Sequence, residues 1–430
     1  MKILFINPFF PPWVPGGAEH SLEQMCKHFA REDWDVEVLA TAFDNRELDE
    51  QRSGYWVRWI QAPFKVDPGQ NVETEDYFRT DHFYDTMLNR LKELDQPDVI
   101  IANNAQVYDI AGVVAGKLGV PIIGIVRDTQ MLCEFGTCMD NRSAEEASPC
   151  HGYLGSALCA IKFHRVRGER GWRPIPAWAW AGIQMHKRRK KLRFVIRQFD
   201  QIVTISEALN LLVCNAMLDL KVNRVSTIRN FSTQVEPIDK SKVSQFLEHH
   251  GLIAGKFFIF AGRKTYGKGV DLLLNATMIA QDTTPACQCL LLGRGNFKGK
   301  IENGCKDIES VSQDLLLGLV EQSAALVIPG RWQEGLHRTM IDAIWLGVPV
   351  ICTQAGAPPL DGVIDGYTGY VVPCEDSDAM ASAMIKVLNW SEEKRESCRE
   401  HSRKQYARNF ETADLMGKWN EVLNKVIRSN

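Results

Sequence analysis

Short apolar runs alternate with stretches of helical period along the first half of the chain. KILFIN (2–7), DVEVLAT (35–41), DVIIANN (98–104), PIIGIVRD (121–128), QIVTIS (201–206) and VSTIRN (225–230) read as strands, with WVRWI (56–60) as a further one. They are apolar at successive positions, as strands buried on both faces are. Between them the pattern predicts helices at about 18–31, 81–94, 107–118 and 186–199 and another from 206, with a Cys- and Gly-bearing insertion at 129–185. Residues 231–255 are polar and carry Pro237, which marks a domain boundary. The alternation then restarts with KFFIFAGR (256–263), CQCLLLG (287–293), ALVIPG (325–330), PVICT (349–353) and GYVVP (369–373). Helices are expected at 269–280, 312–322, 335–346, 376–389 and 392–408, and Leu415, Trp419, Val422 and Val426 form a last helical stripe. Strands separated by helices predict an α/β chain of two Rossmann-like, doubly wound parallel-sheet domains. The domains expected are 1–230 and 231–411, followed by a C-terminal helix at 412–430. Two such sheets facing each other place a ligand cleft between their strand C-termini.

Composition narrows this little. Over 430 residues, 45% hydrophobic and 24% charged residues exclude a disordered chain. No apolar run reaches the roughly 18 residues of a membrane-spanning helix. The apolar N-terminus is broken at Asn7 and Pro8 and lacks the pattern of a signal peptide, so a cytoplasmic protein is expected. Its 12 cysteines then read mostly as free thiols. Charge changes the picture more. The net charge of −3 conceals a segment, 162–197, with twelve Lys or Arg against one acid, Glu169. A local basic patch on an otherwise acidic chain points to an anionic surface or ligand.

Three segments carry candidate chemistry. Pro15-Gly16-Gly17-Ala18-Glu19 lies between the first strand and its helix, where paired glycines let backbone N–H groups approach an anion. Gly262-Arg263-Lys264-Thr265-Tyr266-Gly267-Lys268-Gly269 follows a strand directly, and its cations Arg263 and Lys268, next to a helix start, suit a diphosphate. In ALVIPGRWQEGLHRTMIDAIWLGVPVICT, Glu334 precedes Asp342 by eight positions. On one helix that spacing sets two acids about 80° apart around the axis and about 12 Å along it. Gly335, Leu336 and His337 would present free N–H groups at the mouth of that helix.

With these segments in order, the whole chain resembles a GT-B glycosyltransferase of the large retaining family 4, the group 1 type. FAGRKTYGKGVDLLLNA, LLLGRG and PGRWQEGLHRTMIDAIWLGVPVICTQAGAPPLDGVIDGYTGYVV carry the resemblance. It implies metal-independent, retaining transfer of a sugar from a nucleotide-diphosphate donor to a glycan acceptor, a lipid-linked one being expected. Arg263, Lys268 and Glu334 would be catalytic: the two cations neutralise the leaving diphosphate and Glu334 touches the donor sugar. Gly16, Gly17, Gly293, Gly335, Leu336, His337 and Asp342 would bind the donor, Asp342 at the ribose hydroxyls. Glu19, Arg127 and Asp128 would lie on the acceptor side. The family also sends its last helix back to the first domain. This chain departs from the family at Asp342, where a Glu is usual, and at Arg127-Asp128, where many members carry His-Asp. The family's acid after the Gly-Gly-like turn corresponds to Asp361.

The insertion holds Cys133, Cys138, Cys150 and Cys159, whose spacing lacks the paired CxxC knuckles of a zinc module. Packing thiols are expected there in preference to zinc, and no other metal or cofactor is expected. Trp172, Trp178 and Trp180 adjoin the run Lys187, Arg188, Arg189, Lys190 and Lys191, a mixture suited to an anionic membrane surface. Nucleic acid is not an expected partner, because no recognition fold accompanies the patch. The other readings the sequence leaves are a same-fold sugar-nucleotide epimerase, a phosphorylase, for which no pyridoxal-lysine signature is present, and a non-catalytic nucleotide-sugar-binding protein.

Overall fold

In β1 (Lys2–Ile6), Ile3, Leu4, Phe5 and Ile6 are all buried, which requires cover on both faces and makes this strand the centre of a sheet. β2 (Asp35–Ala42) lies on one side of it, with β4 (Tyr55–Gln61) and the edge strand β3 (Asp49–Arg52) beyond. On the other side run β5 (Val99–Ala102), β6 (Ile122–Val126), β7 (Gln201–Thr204) and β8 (Val225–Thr227). Pairing is parallel, Ile6 lying beside Leu39 and Ala102, except at the β3–β4 hairpin. The helices of this domain are α1 (Gly17–Arg31), α2 (Asp81–Leu91), α3 (Tyr108–Leu118), α4 (Gly152–Val166), α5 (Ile175–Ile196) and α6 (Glu207–Ala216). This computed structural model describes residues 1–14, 16–67, 81–133, 143–145, 152–166, 172, 174–217, 224–232, 238–295, 297, 299, 301, 304–333 and 335–428.

The second sheet is parallel throughout, in the order β11 (Cys305–Ile308), β10 (Gln288–Leu292), β9 (Phe257–Ala261), β12 (Ala325–Ile328), β13 (Val350–Thr353) and β14 (Gly369–Val372). Around it run α7 (Lys240–His250), α8 (Val270–Thr283), α9 (Gln313–Gln322), α10 (Arg338–Leu346), α11 (Ser377–Leu388), α12 (Glu392–Asn409) and α13 (Thr412–Arg428). The two-residue period of β9 divides its side chains between two cores. Phe258 and Phe260 pack with residues of α8 and α11, while Phe257 and Ile259 join the core that continues into the first domain. α13 packs on that first domain. Its Trp419 ring sits 5.5 Å from Phe29 of α1, and Lys425 Nζ lies 3.3 Å from Gln201 Oε1 of β7.

The structure departs from the sequence reading in five places. The insertion contains a helical hairpin, α4 and α5, and α5 begins eleven residues before the helix expected at 186. Its buried stripe is Trp178, Gly182, His186, Arg189, Leu192 and Ile196, so polar residues and a glycine occupy positions where an apolar period would be sought. Gly182 is where the helices cross: a Cβ there would lie 2.3 Å from Ser156 O of α4. α7 occupies part of the polar boundary segment, capped by Asp239 and closed by Gly251 at φ 63°. β3 and β11 are polar edge strands, which carry no apolar run. α10 begins at Arg338, three residues later than expected, so the common-helix geometry inferred for Glu334 and Asp342 does not apply.

Candidate functional site

Strand order reverses at β1 in the first sheet and at β9 in the second. In open α/β sheets such switch points leave a crevice at the strand C-termini. Here the β1–α1 and β9–α8 loops open onto one cleft of about 510 Å³. Gly16, Gly17, Arg127, Asp128 and Asn230 line its first-domain wall. Arg263, Lys268, Gly293, Arg294, Glu309 and the segment from Gly335 to Thr339 line the other, with Asp342.

On the first wall, Gly16 is the extended residue before α1, and its N–H donates to the Glu19 carboxylate at 3.2 Å. Glu19 is buried beneath the loop. Burial raises its pKa, and its own and Gly16's backbone N–H groups and the charges of Arg127 and Arg263 oppose the rise. Arg127 is held rigidly: Nε donates to Asn103 Oδ1 at 2.8 Å and Nη1 to Asn230 Oδ1 at 2.9 Å. Burial pulls its pKa down to about 10, yet it remains a cation at neutral pH. Asp128 Oδ1 accepts the N–H of Gln130 at 2.8 Å, which fixes the loop after β6.

On the second wall, close backbone approaches shape the loop after β9. Gly293 has φ 134°, and a Cβ there would fall 2.0 Å from Gly262 O. Gly269 has φ 68°, with Pro329 O only 1.8 Å from where its Cβ would be. Either side chain would force the loop outward. Lys264, between the two cations of interest, turns away and pairs with Asp307 of β11. Arg263 and Lys268 face the cleft.

The segment before α10 closes the floor. Gly335, Leu336 and His337 precede the helix, with His337 at its N-cap. Gly335 packs against the first domain: a Cβ there would sit 2.3 Å from Arg127 O. Burial, then the charge of Lys268, holds the His337 imidazole well below its usual pKa, so it is neutral. Arg338 reaches across to the other wall, its Cδ 3.5 Å from where a Cβ on Gly17 would be. Burial lowers its pKa, and the charges of Asp342 one turn on and of Glu23 of α1 oppose that shift. Glu334 lies outside the described residues.

Asp361 is not a cleft residue. It is buried at the domain junction, where its carboxylate accepts the N–H groups of Glu207 (2.9 Å) and Ala208 (3.3 Å) at the start of α6. Arg229 Nε donates to it at 2.9 Å. Of the insertion cysteines, Cys133 and Cys159 contact each other, and that hydrogen bond lowers the Cys159 pKa to about 7. Cys138 and Cys150 lie outside the described residues.

The proposed membrane-facing set divides. Trp178 is buried and stacks on His164 at 5.0 Å, and Arg189 is buried with Nη1 donating to Leu132 O at 2.8 Å, so neither offers anything to a surface. Lys191 pairs with Asp109 of α3 at 3.0 Å, and Arg188 is half-buried. Trp172 and Trp180 are 83% and 61% exposed, and Lys187 and Lys190 are exposed beside Trp180 and Tyr153 respectively. No described helix is long and apolar enough to cross a membrane.

Arg294, Glu309, Val311, Gln313 and Arg338 are cleft residues that the sequence reading did not single out. Glu309 and Val311 follow the polar edge strand β11, which gave no strand signal. Arg338, next to His337 in a segment already singled out, was the one within reach.

Comparisons with known proteins complete the picture. Residues 16–230 match the Glycosyl transferase 4-like domain family, and residues 245–405 match Glycosyl transferases group 1. Spore coat protein SA of Bacillus subtilis (strain 168) is 26% identical over 175 residues, 37% of this chain and 46% of that protein. The match therefore spans less than half the length of that relative. The capsular polysaccharide biosynthesis glycosyltransferase CapM of Staphylococcus aureus is 24% identical over 274 residues, 58% of this chain and 69% of CapM. The crystal structure of Anabaena HepE in complex with UDP and glucose superposes with a TM-score of 0.65 at 15% identity, over 99% of this chain and 100% of HepE. Its likeness is one of fold.

Proposed function

Since the chain belongs to the group 1 glycosyl transferases and has their GT-B fold, we propose that it moves a glycosyl group from a nucleotide-diphosphate donor to a lipid-linked glycan acceptor. The setting is surface polysaccharide or glycolipid assembly, at the inner face of the cell membrane. CapM's role in capsular polysaccharide supports the acceptor class, and HepE's complex with UDP and glucose supports the donor class.

The observation that carries the reading is the opposition of two switch-point loops across one cleft. Arg263 and Lys268 stand on one wall and the Gly16–Gly17 loop with Arg127 on the other. Negative charge develops on the diphosphate as its bond to the sugar breaks. Two cations on the cleft wall stabilise that charge where it forms, with no metal required. Neutral His337 adds no competing charge beside Lys268. The anomeric centre becomes oxocarbenium-like, and the acceptor hydroxyl attacks from the face the diphosphate leaves, so configuration is retained. Glu334 positions the donor sugar and Asp342 the ribose. Arg127 replaces the family's usual His with a permanent cation that cannot serve as a base at neutral pH, so it acts on the acceptor side by charge and shape.

The test is a panel of nucleotide sugars without acceptor, with nucleotide release followed by mass spectrometry and Glu334→Ala as control. Slow release from one donor, lost in the control, is expected. No release from any donor, and no transfer when a lipid-linked acceptor is added, would overturn the reading in favour of a binding-only protein.

A further inference from the structure

We propose that the outer face of α4 docks this protein on an anionic phospholipid bilayer. Along α4, Leu154, Leu158, Ile161 and Arg165 recur at helical spacing, with Lys162 beside them. Leu154 is 75% exposed and Leu158 is 59% exposed, and neither packs into a core cluster. The opposite side of the helix is fully occupied, since Ser156, Ala157 and Ala160 are buried and α5 crosses at Gly182. The outer stripe is therefore not a core face left uncovered by a small hairpin.

Its chemistry changes along its length. The first two turns are apolar. The last turns carry Lys162 and Arg165, which with Leu158 and Ile161 enclose a shallow surface concavity. Apolar side chains that enter the acyl boundary, flanked by cations at headgroup level, suit an interfacial helix lying in the membrane plane. The charge complements anionic lipid. This places the apolar docking residues on α4 and not on the cationic run of α5, where Arg189 is buried and the exposed Lys191 is paired with Asp109.

The position of α4 gives the docking a purpose, and here the inference rests on the transfer reading above. Phe163, on the same helix, has its ring 6.4 Å from that of Trp332 in the second domain. Trp332 in turn covers Gly267, where a Cβ would lie 2.6 Å from its ring, in the loop that carries Lys268. Phe163 lies on the side of α4 away from the outer stripe, so a bilayer against that stripe would sit about one helix diameter, roughly 10 Å, from the donor loop, and an acceptor whose lipid stays in the membrane could present its sugar to the cleft.

The experiment is co-sedimentation of the full chain with phosphatidylcholine vesicles with and without phosphatidylglycerol. Wild type is expected to pellet with the anionic vesicles. Leu154→Glu/Leu158→Glu should bind at least about tenfold more weakly, and Lys162→Glu/Arg165→Glu should lose at least about fivefold per cation together with the preference for phosphatidylglycerol. Both pairs are exposed, so unfolding midpoints should match wild type. Failure of wild type to pellet, or pelleting of both variants like wild type, would overturn the proposal. So would a wild-type dimer in analytical ultracentrifugation that Leu158→Glu dissociates, because the face would then join two copies. Sedimentation requires neither donor nor turnover, so its failure leaves the transfer reading standing, and loss of transfer alone leaves the docking face standing.

Discussion

Asp361 Oδ1 and Arg229 Nη2 lie 2.9 Å apart and belong to opposite domains. The same carboxylate accepts two N–H groups at the start of α6. One side chain thus ties the π-helical turn at Pro358–Gly362 to the first domain. Asp361→Ala leaves a largely buried guanidinium and two helix-terminal donors without their acceptor, and removing one partner of such a pair costs about 3–5 kcal/mol. A fall of that size in urea denaturation is expected, with a smaller one for Asp361→Asn, which keeps an acceptor oxygen.

Gly335→Ala should wedge the cleft open. The added methyl would meet Arg127 O at 2.3 Å. Relief requires the two walls to separate, at a cost of about 1–3 kcal/mol for overpacking. Nucleoside diphosphate affinity measured by calorimetry should fall about tenfold, with a larger radius of gyration by small-angle scattering. An unchanged affinity would mean that the floor segment moves independently of the walls.

Arg263→Ala and Lys268→Ala should each lower turnover by about 10²–10³-fold, the range for losing one charged transition-state contact. Both side chains line an open cleft, so the unfolding midpoint should stay near that of wild type. Initial rates on the donor identified in the nucleotide-sugar panel provide the check.

His28 should make stability depend on pH. Its ring lies 4.5 Å from Phe231, and burial lowers its pKa from 6.5 to about 4, with a further contribution from the charge of Arg31. Between those values the unfolded chain binds the proton that the folded chain refuses. Stability therefore rises as pH climbs from about 4 to 6.5 and is level, for this group, above that. His28→Gln should flatten that part of a plot of Tm against pH. An unchanged slope would assign the effect elsewhere.

The central strands were legible in the sequence because burial on both faces demands unbroken apolar runs, as in Ile3–Ile6 and Phe257–Phe260. The cleft loops were legible because glycines and cations directly after such strands have few other uses. What was hidden had a shared physical cause. β3, β11 and the first half of α5 owe their places to neighbours and not to their own apolar pattern. The buried stripe of α5 includes His186 and Arg189, which are satisfied by Ser156 and Leu132 of the same insertion. No local period announces a helix whose inward face is polar. Asp361 was visible as an acid in a family position, but its work at the domain junction depends on Arg229 and Glu207, well over 100 residues earlier in the chain.

The return of α13 to the first domain bears on the order in which the molecule can be made. Trp419, Leu423 and Val426 belong to the same core as Phe29 of α1. The ribosome delivers the first domain's sheet long before it delivers those side chains. Until residues 412–428 emerge, the surface that receives Trp419 is an open apolar trough on an otherwise finished unit. A fragment ending at residue 230 would keep that trough permanently and should prove sticky and hard to purify. Supplying the 412–428 peptide in trans should cover the trough and restore a soluble partner for the second domain.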